Sequence, residues 1–141
     1  MSQNELSPSG ESPESLFSSF QRPDAEFSID RTRRLVVVKF EGSVSLQEIA
    51  KYVERLVVHP HFDPSFSEVT DLRGVQHFDL QANDFLTLAD QVDPFSPEAK
   101  RAFVVRTSLQ NQAARMHKFL RSHRTIEIFE SVAQAEKWLG L

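Results

Sequence analysis

The sequence predicts an α/β domain with a mixed, mainly parallel five-stranded sheet and about four helices, in the order β-β-α-β-α-β-α-β-α. Three observations carry this. Short β-branched runs alternate with stretches of helical periodicity, the pattern of strands joined by helical crossovers. The first two strands are separated only by a polar turn, which makes them an antiparallel hairpin. The chain, at 141 residues, is long enough for one domain with a real core.

The first strand begins at Ala25, where Phe27 and Ile29 alternate with Glu26, Ser28 and Asp30. Residues 31–33 form the turn, and residues 35–40 (LVVVKF) read as a strand covered on both faces. Gly42 and Ser43 are expected to end it. Ser45 and Glu48 then form a capping box. Leu46, Ile49, Ala50, Val53, Leu56 and Val57 make one helical stripe. Pro60 and Pro64 bound that helix.

Residues 68–72 are the third strand, followed by an expected turn through Arg73 and Gly74 and a second helix with Asp79 as its N-cap. Phe85, Leu86, Leu88, Ala89 and Val92 give this helix its apolar face, and Pro94 and Pro97 close it. Residues 101–106 are the fourth strand. Ser108 is expected to cap a third helix that carries Ala113, Met116, Phe119 and Leu120 inward. Residues 125–129 are the fifth strand. Ser131 caps the last helix, whose stripe is Val132, Ala135, Trp138 and Leu139, and Gly140 stops it.

Residues 1–22 are rich in Ser, Pro and Glu and are expected to form a disordered tail, with the domain over 23–141. Leu16, Phe17 and Phe20 are its apolar residues. Composition narrows the function classes. The formal charge of -4 does not suit a nucleic-acid partner. The absence of Cys excludes disulfides and thiolate chemistry. No apolar run is long enough to span a bilayer, so a soluble, cytoplasmic protein is expected. Twelve Phe against one Tyr and one Trp favour core filling, or an apolar pocket, over a wet binding face.

The four glycines are scattered, at 10, 42, 74 and 140, and no phosphate loop or dinucleotide fingerprint can be built from them. His59, His61 and Asp63 have ligand chemistry but are better read as the loop ending the first helix, so neither a metal nor a cofactor is expected. The polar residues Asp71, Arg73, His77, Asp79, Gln81 and Asp84 cluster after the third strand, where sites lie in open α/β sheets. No nucleophile elbow accompanies them. They are candidates for binding a protein partner rather than for catalysis. The third helix adds a candidate basic face at Arg115, Lys118 and Arg121, with His117, His123 and Arg124 nearby. Homodimerisation is open to the exposed edge of the first strand.

Residues 42–48 (GSVSLQE), 69–75 (VTDLRGV) and 128–139 (IFESVAQAEKWL) together resemble the STAS domain, and more closely the SpoIIAA-like bacterial proteins. The resemblance covers about residues 25–141. It implies the fold above and a non-catalytic binding role of a regulatory kind. In anti-sigma-factor antagonists of that family a partner kinase phosphorylates a Ser within an Asp-Ser-Ser-Gly pattern after the third strand. Here that pattern falls on residues 79–82 (DLQA), and Gln81 stands at the acceptor position. The resemblance therefore does not carry over the phospho-switch. The alternative to a protein partner is a carrier or sensor of a small apolar or anionic ligand, such as a lipid, held between the helices and the sheet.

Overall fold

The computed structural model describes residues 25–122 and 124–141. The expected tail over 1–22, with Leu16, Phe17 and Phe20, lies outside the described residues, as does His123.

The strands are β1 (Glu26–Asp30), β2 (Leu35–Ser45), β3 (Ser67–Asp79), β4 (Lys100–Val104) and β5 (Thr125–Phe129). The helices are α1 (Leu46–Val57), α2 (Ala82–Gln91), α3 (Ser108–Leu120) and α4 (Val132–Trp138). The sheet keeps the strands in chain order, β1 to β5, with β1 antiparallel to β2 and every other pair parallel. This is the predicted architecture.

The pleat sorts the core into two layers, because successive strand residues face opposite sides. Val36, Val38 and Phe40 of β2 pack with Tyr52 and Leu56 of α1 and Ala114 of α3. Leu35, Val69, Ala102 and Val104 pack instead with Ala135, Val132 and Trp138 of α4. Helices thus cover both faces, which is why the central strands read as near-continuous apolar runs.

The capping residues do most of the local punctuation. The Ser45–Glu48 box is present in both directions. Ser131 accepts from the Gln134 amide. At the C-terminus of α4 the Gly140 amide donates to Lys137 O and the Leu141 amide to Glu136 O. Gly140 supports this closing turn at φ +82°, a conformation glycine adopts without strain.

Three local expectations are corrected. First, β2 does not end at Gly42, and no turn occurs at Arg73 and Gly74. Both strands run on as a two-stranded arm, pairing Glu41 with Gly74 and Ser45 with Asp79. The ladder accommodates two register shifts, each taking an extra residue into β3. Gly42 sits at one with φ 69°. At Gly74 a Cβ would approach Glu41 Cγ to 3.0 Å. The glycines mark bulges and close approach, not strand ends. Second, Asp79 is the last residue of β3, and Gln81 is the N-cap of α2. Third, Thr107 rather than Ser108 caps α3.

Candidate functional site

The arm of β3 beyond Asp71 has left β4, since the β3–β4 pairing stops at Asp71 opposite Val104. Its outward carbonyls need donors. Gln110, only 1% exposed, supplies them: Nε2 donates to Arg73 O at 3.1 Å and to Val75 O at 2.8 Å. Its Oε1 accepts from the Arg106 amide at 2.7 Å and the Thr107 amide at 3.2 Å. One side chain thereby stitches the arm to the start of α3. The signal that could have found it is the Thr107-x-x-Gln110 spacing, a capping box.

The structure divides the residues expected to form one surface. Asp71 and Arg73 form a two-pronged ion pair, with Arg73 Nε 3.0 Å from Oδ1 and Nη2 2.9 Å from Oδ2. Burial alone would raise Asp71, but the Arg73 guanidinium and amide hold its carboxyl below the ordinary value. His77 and Asp79 are exposed on the arm, opposite Ser43 and Ser45. Asp84 accepts from the Gln81 amide at 2.9 Å and fixes the first turn of α2. Among the described residues no hydrogen bond or ion pair joins Arg73 to His77 or Asp79.

The basic face of α3 is divided too. Arg115 is exposed, and Lys118 pairs with Glu127 at 2.9 Å. Both line an open groove with Arg106 and Phe119; contrary to expectation Phe119 and Met116 do not point inward, being 75% and 48% exposed. Arg121 is not on that surface. It is 1% exposed, donates to the Leu88 and Ala89 carbonyls at the end of α2, and pairs with Asp93.

Arg121 belongs to a buried polar cluster that the sequence reading missed. Glu68, 3% exposed, accepts from Tyr52 Oη at 2.6 Å and from Arg101 Nε at 2.8 Å. Arg101 Nη1 reaches both oxygens of Asp93, at 3.0 and 2.9 Å. Asp93 also accepts from the Phe95 amide at 2.9 Å and faces Arg124 at 3.6 Å. The Arg101 guanidinium lies over the Phe95 ring, 4.4 Å from its centroid. Glu68 and Arg101 are adjacent across the β3–β4 ladder, and their opposite charges fit that placement.

The cluster sets the protonation states around it. Burial, then the Glu68 carboxylate, pushes the Tyr52 hydroxyl well above its ordinary value. Burial also favours neutral Asp93, yet Arg101, the Phe95 amide and Arg121 outweigh it and hold the carboxyl low. His117, packed edge-on against Phe103 with centroids 5.6 Å apart, is pushed down to about 3. Burial is the main cause, followed by the Arg101 and Arg121 charges.

Above the cluster, between the sheet and α1 to α3, lies a cavity of about 100 Å³. Phe40, Phe78, Phe85 and Phe103 line it, and Tyr52, Glu68, Thr70, Asp93, Arg101 and His117 form its polar part. The Phe excess thus has two outlets, since Phe66 and Phe95 are core residues. His59 and His61 stack edge to face at 5.3 Å, and the described residues hold no group of three potential metal ligands.

No protein-family model matches the sequence, and no curated protein matches it. A solved structure does. It is an uncharacterised protein of the DUF3478 family with a SpoIIAA-like fold, from Shewanella loihica PV-4. The similarity covers 82% of this chain and 94% of that one, with a TM-score of 0.58 and 19% identity. The fold is SpoIIAA-like. In this chain the segment joining β3 to α2 presents Gln81 as the α2 N-cap. Among the described residues no helix is long and apolar enough to cross a membrane.

Proposed function

We propose that this SpoIIAA-like domain is a non-catalytic binder of a small ligand with an apolar body, held in the cavity between the sheet and α1 to α3. The observation that supports it is the cavity itself, lined by four Phe residues and a few polar side chains. A pocket of that make-up, mostly apolar with a few fixed polar groups, is the usual form of a small-molecule site. A binding role is favoured over a reactive one because the acidic floor residues are engaged with their neighbours. Glu68 is held by Tyr52 and Arg101, and Asp93 by three guanidiniums and an amide.

Native mass spectrometry of the protein from its own cells, compared with its denatured mass, tests this. A stoichiometric small-molecule adduct supports the reading. A clean unliganded mass, together with unchanged resonances of Val44, Ile49 and Leu88 when small organic probes are added, overturns it.

A regulatory protein partner is the second reading, and the groove along α3 favours it. Exposed Phe119 beside Arg106, Arg115 and Lys118 suits an acidic peptide with an apolar anchor. Weaker capture of a partner by Phe119→Ala, with α3 intact, is the expected result. Equal capture by both proteins would remove it. The cytoplasm of a bacterium is the setting proposed for either role.

A further inference from the structure

The groove along α3 has a chemical complement within this same chain, an inference that rests on the second reading above, an acidic peptide with an apolar anchor. Residues 1–20, outside the described residues, carry Glu5, Glu11 and Glu14 and no Lys, Arg or His. Leu16, Phe17 and Phe20 come just after Glu14. Leu16 and Phe17 stand four and three positions before Phe20, the spacing that sets side chains on one face of a helix. An acidic stretch leading into such a face is a form in which short segments dock on helical grooves.

The groove supplies the opposite of each feature. Phe119 stands out from α3 with Met116 one turn before it, and Leu109 is exposed on the same side of the helix. Ile128 and Phe129 of β5 also line the groove. Of its cations, Lys118 is engaged by Glu127 and Arg124 by Asp93, so neither counts toward the balance. Arg106 and Arg115 pair with no carboxylate among the described residues, and Glu130 is the one acid among the lining residues. The uncommitted groups therefore leave a positive balance for the two carboxylates of Glu11 and Glu14.

We propose that residues 11–20 of one copy of this chain dock in the α3 groove of a second copy. Phe17 and Phe20 lie against Phe119 and Met116, and Glu14 and Glu11 point toward Arg115 and Arg106. Reach decides between the two copies. Glu26, Lys39, Asp71, Val104 and Phe129 stand in one row across the sheet. At about 4.8 Å per strand, Phe129 is about 19 Å from Glu26. Phe119 is farther still, because α3 runs back from that end of the sheet and carries it about 17 Å beyond Ser108. The stretch from Phe20 to Ala25 spans at most about 17 Å. Phe20 therefore falls short of Phe119 in its own chain, and a second copy has no such limit.

The chain has no Cys, so Ser12→Cys gives a single attachment point for a nitroxide spin label. Labelled full chain without nitrogen-15 is mixed with unlabelled full chain carrying it, so that only contacts between copies broaden the observed amides. The expected result is broadening at Asn111, Arg115 and Phe119 that spares β1 and α4. It should vanish when the labelled copy carries Phe17→Ser with Phe20→Ser, and when the observed copy carries Phe119→Ser, each confirmed as folded by its amide spectrum. No broadening, broadening spread evenly over the surface, or broadening only when label and observed amides share one chain overturns docking between copies. A synthetic peptide of alternating Glu and Phe separates this from the second reading. If it shifts the groove resonances and Phe119→Ser abolishes the shift, that reading stands even where self-docking fails. If neither the label nor the peptide perturbs the groove, both are overturned.

Discussion

His117 gives a prediction with a worked magnitude. Its imidazole goes from an ordinary value of 6.5 to about 3 on folding, through burial and the Arg101 and Arg121 charges. Asp93 is the one neighbour pulling the other way. A depressed folded value means that the unfolded chain takes up a proton that the folded chain refuses. Stability is therefore full above 6.5 and falls as pH drops toward 3. Between about pH 7 and pH 5 the loss from this one group is roughly 2 kcal/mol. Carboxylates held low, such as Asp71 and Asp93, alter stability only near and below 3.8, so they leave this window clear. The perturbation is His117→Phe, which keeps a ring against Phe103 and removes the proton site. Urea unfolding of both proteins at about pH 7, 6 and 5, read by circular dichroism, gives the comparison. The difference in stability between wild type and variant should shift by about 2 kcal/mol in favour of the variant as pH falls. Parallel pH profiles would show that His117 is not held neutral, and an imidazole resonance titrating near 6.5 in the folded protein would show it directly.

Three further outcomes follow from the contacts. Gln110→Ala strands the Arg73 and Val75 carbonyls and two amides, and should cost about 3 kcal/mol. Hydrogen exchange should quicken first along the β2–β3 arm, and a loss under about 0.5 kcal/mol would contradict the clamp. Asp93→Ala leaves Arg101 and Arg121 facing each other without their shared carboxylate, and should cost about 3–5 kcal/mol by thermal or urea unfolding. Lys118→Ala removes a pair with Glu127 whose side chains are 43% and 47% exposed, so the same measurement should move by less than about 1 kcal/mol.

The element order was legible because strand and helix periods differ and because the caps are local. Ser45, Ser131 and Gly140 act within a few residues of themselves, and the sequence shows all of them at work. The β2–β3 arm was not legible. Gly42 and Gly74 punctuate a chain equally well as turns or as bulges, and only the partner strand decides which. The candidate loop between Arg73 and Asp79 therefore became a strand, and its polar residues were spread along a ladder. The buried cluster was hidden for another reason. Glu68, Asp93, Arg101 and Arg121 come from four separate segments, and each alone looks like a surface charge. Only the strand order, which sets Glu68 beside Arg101, turns them into one object.

That cluster needs a reason beyond stability. Buried ion pairs recover little more than their desolvation cost, and apolar replacements of the same volume often serve as well. The α4 side of the same sheet closes with Leu35, Val69, Ala102, Val104 and Ala135. The α1–α3 side carries the buried pair Glu68 and Arg101. Both, with Asp93, line the cavity left between the sheet and the helices. A polar network that fixes Tyr52, Glu68 and Arg101 rigidly, and holds His117 neutral next to them, has the preorganisation expected of a binding floor. On this view the exposed arm is scaffolding, tied down by Gln110, and specificity is written in the interior of the domain.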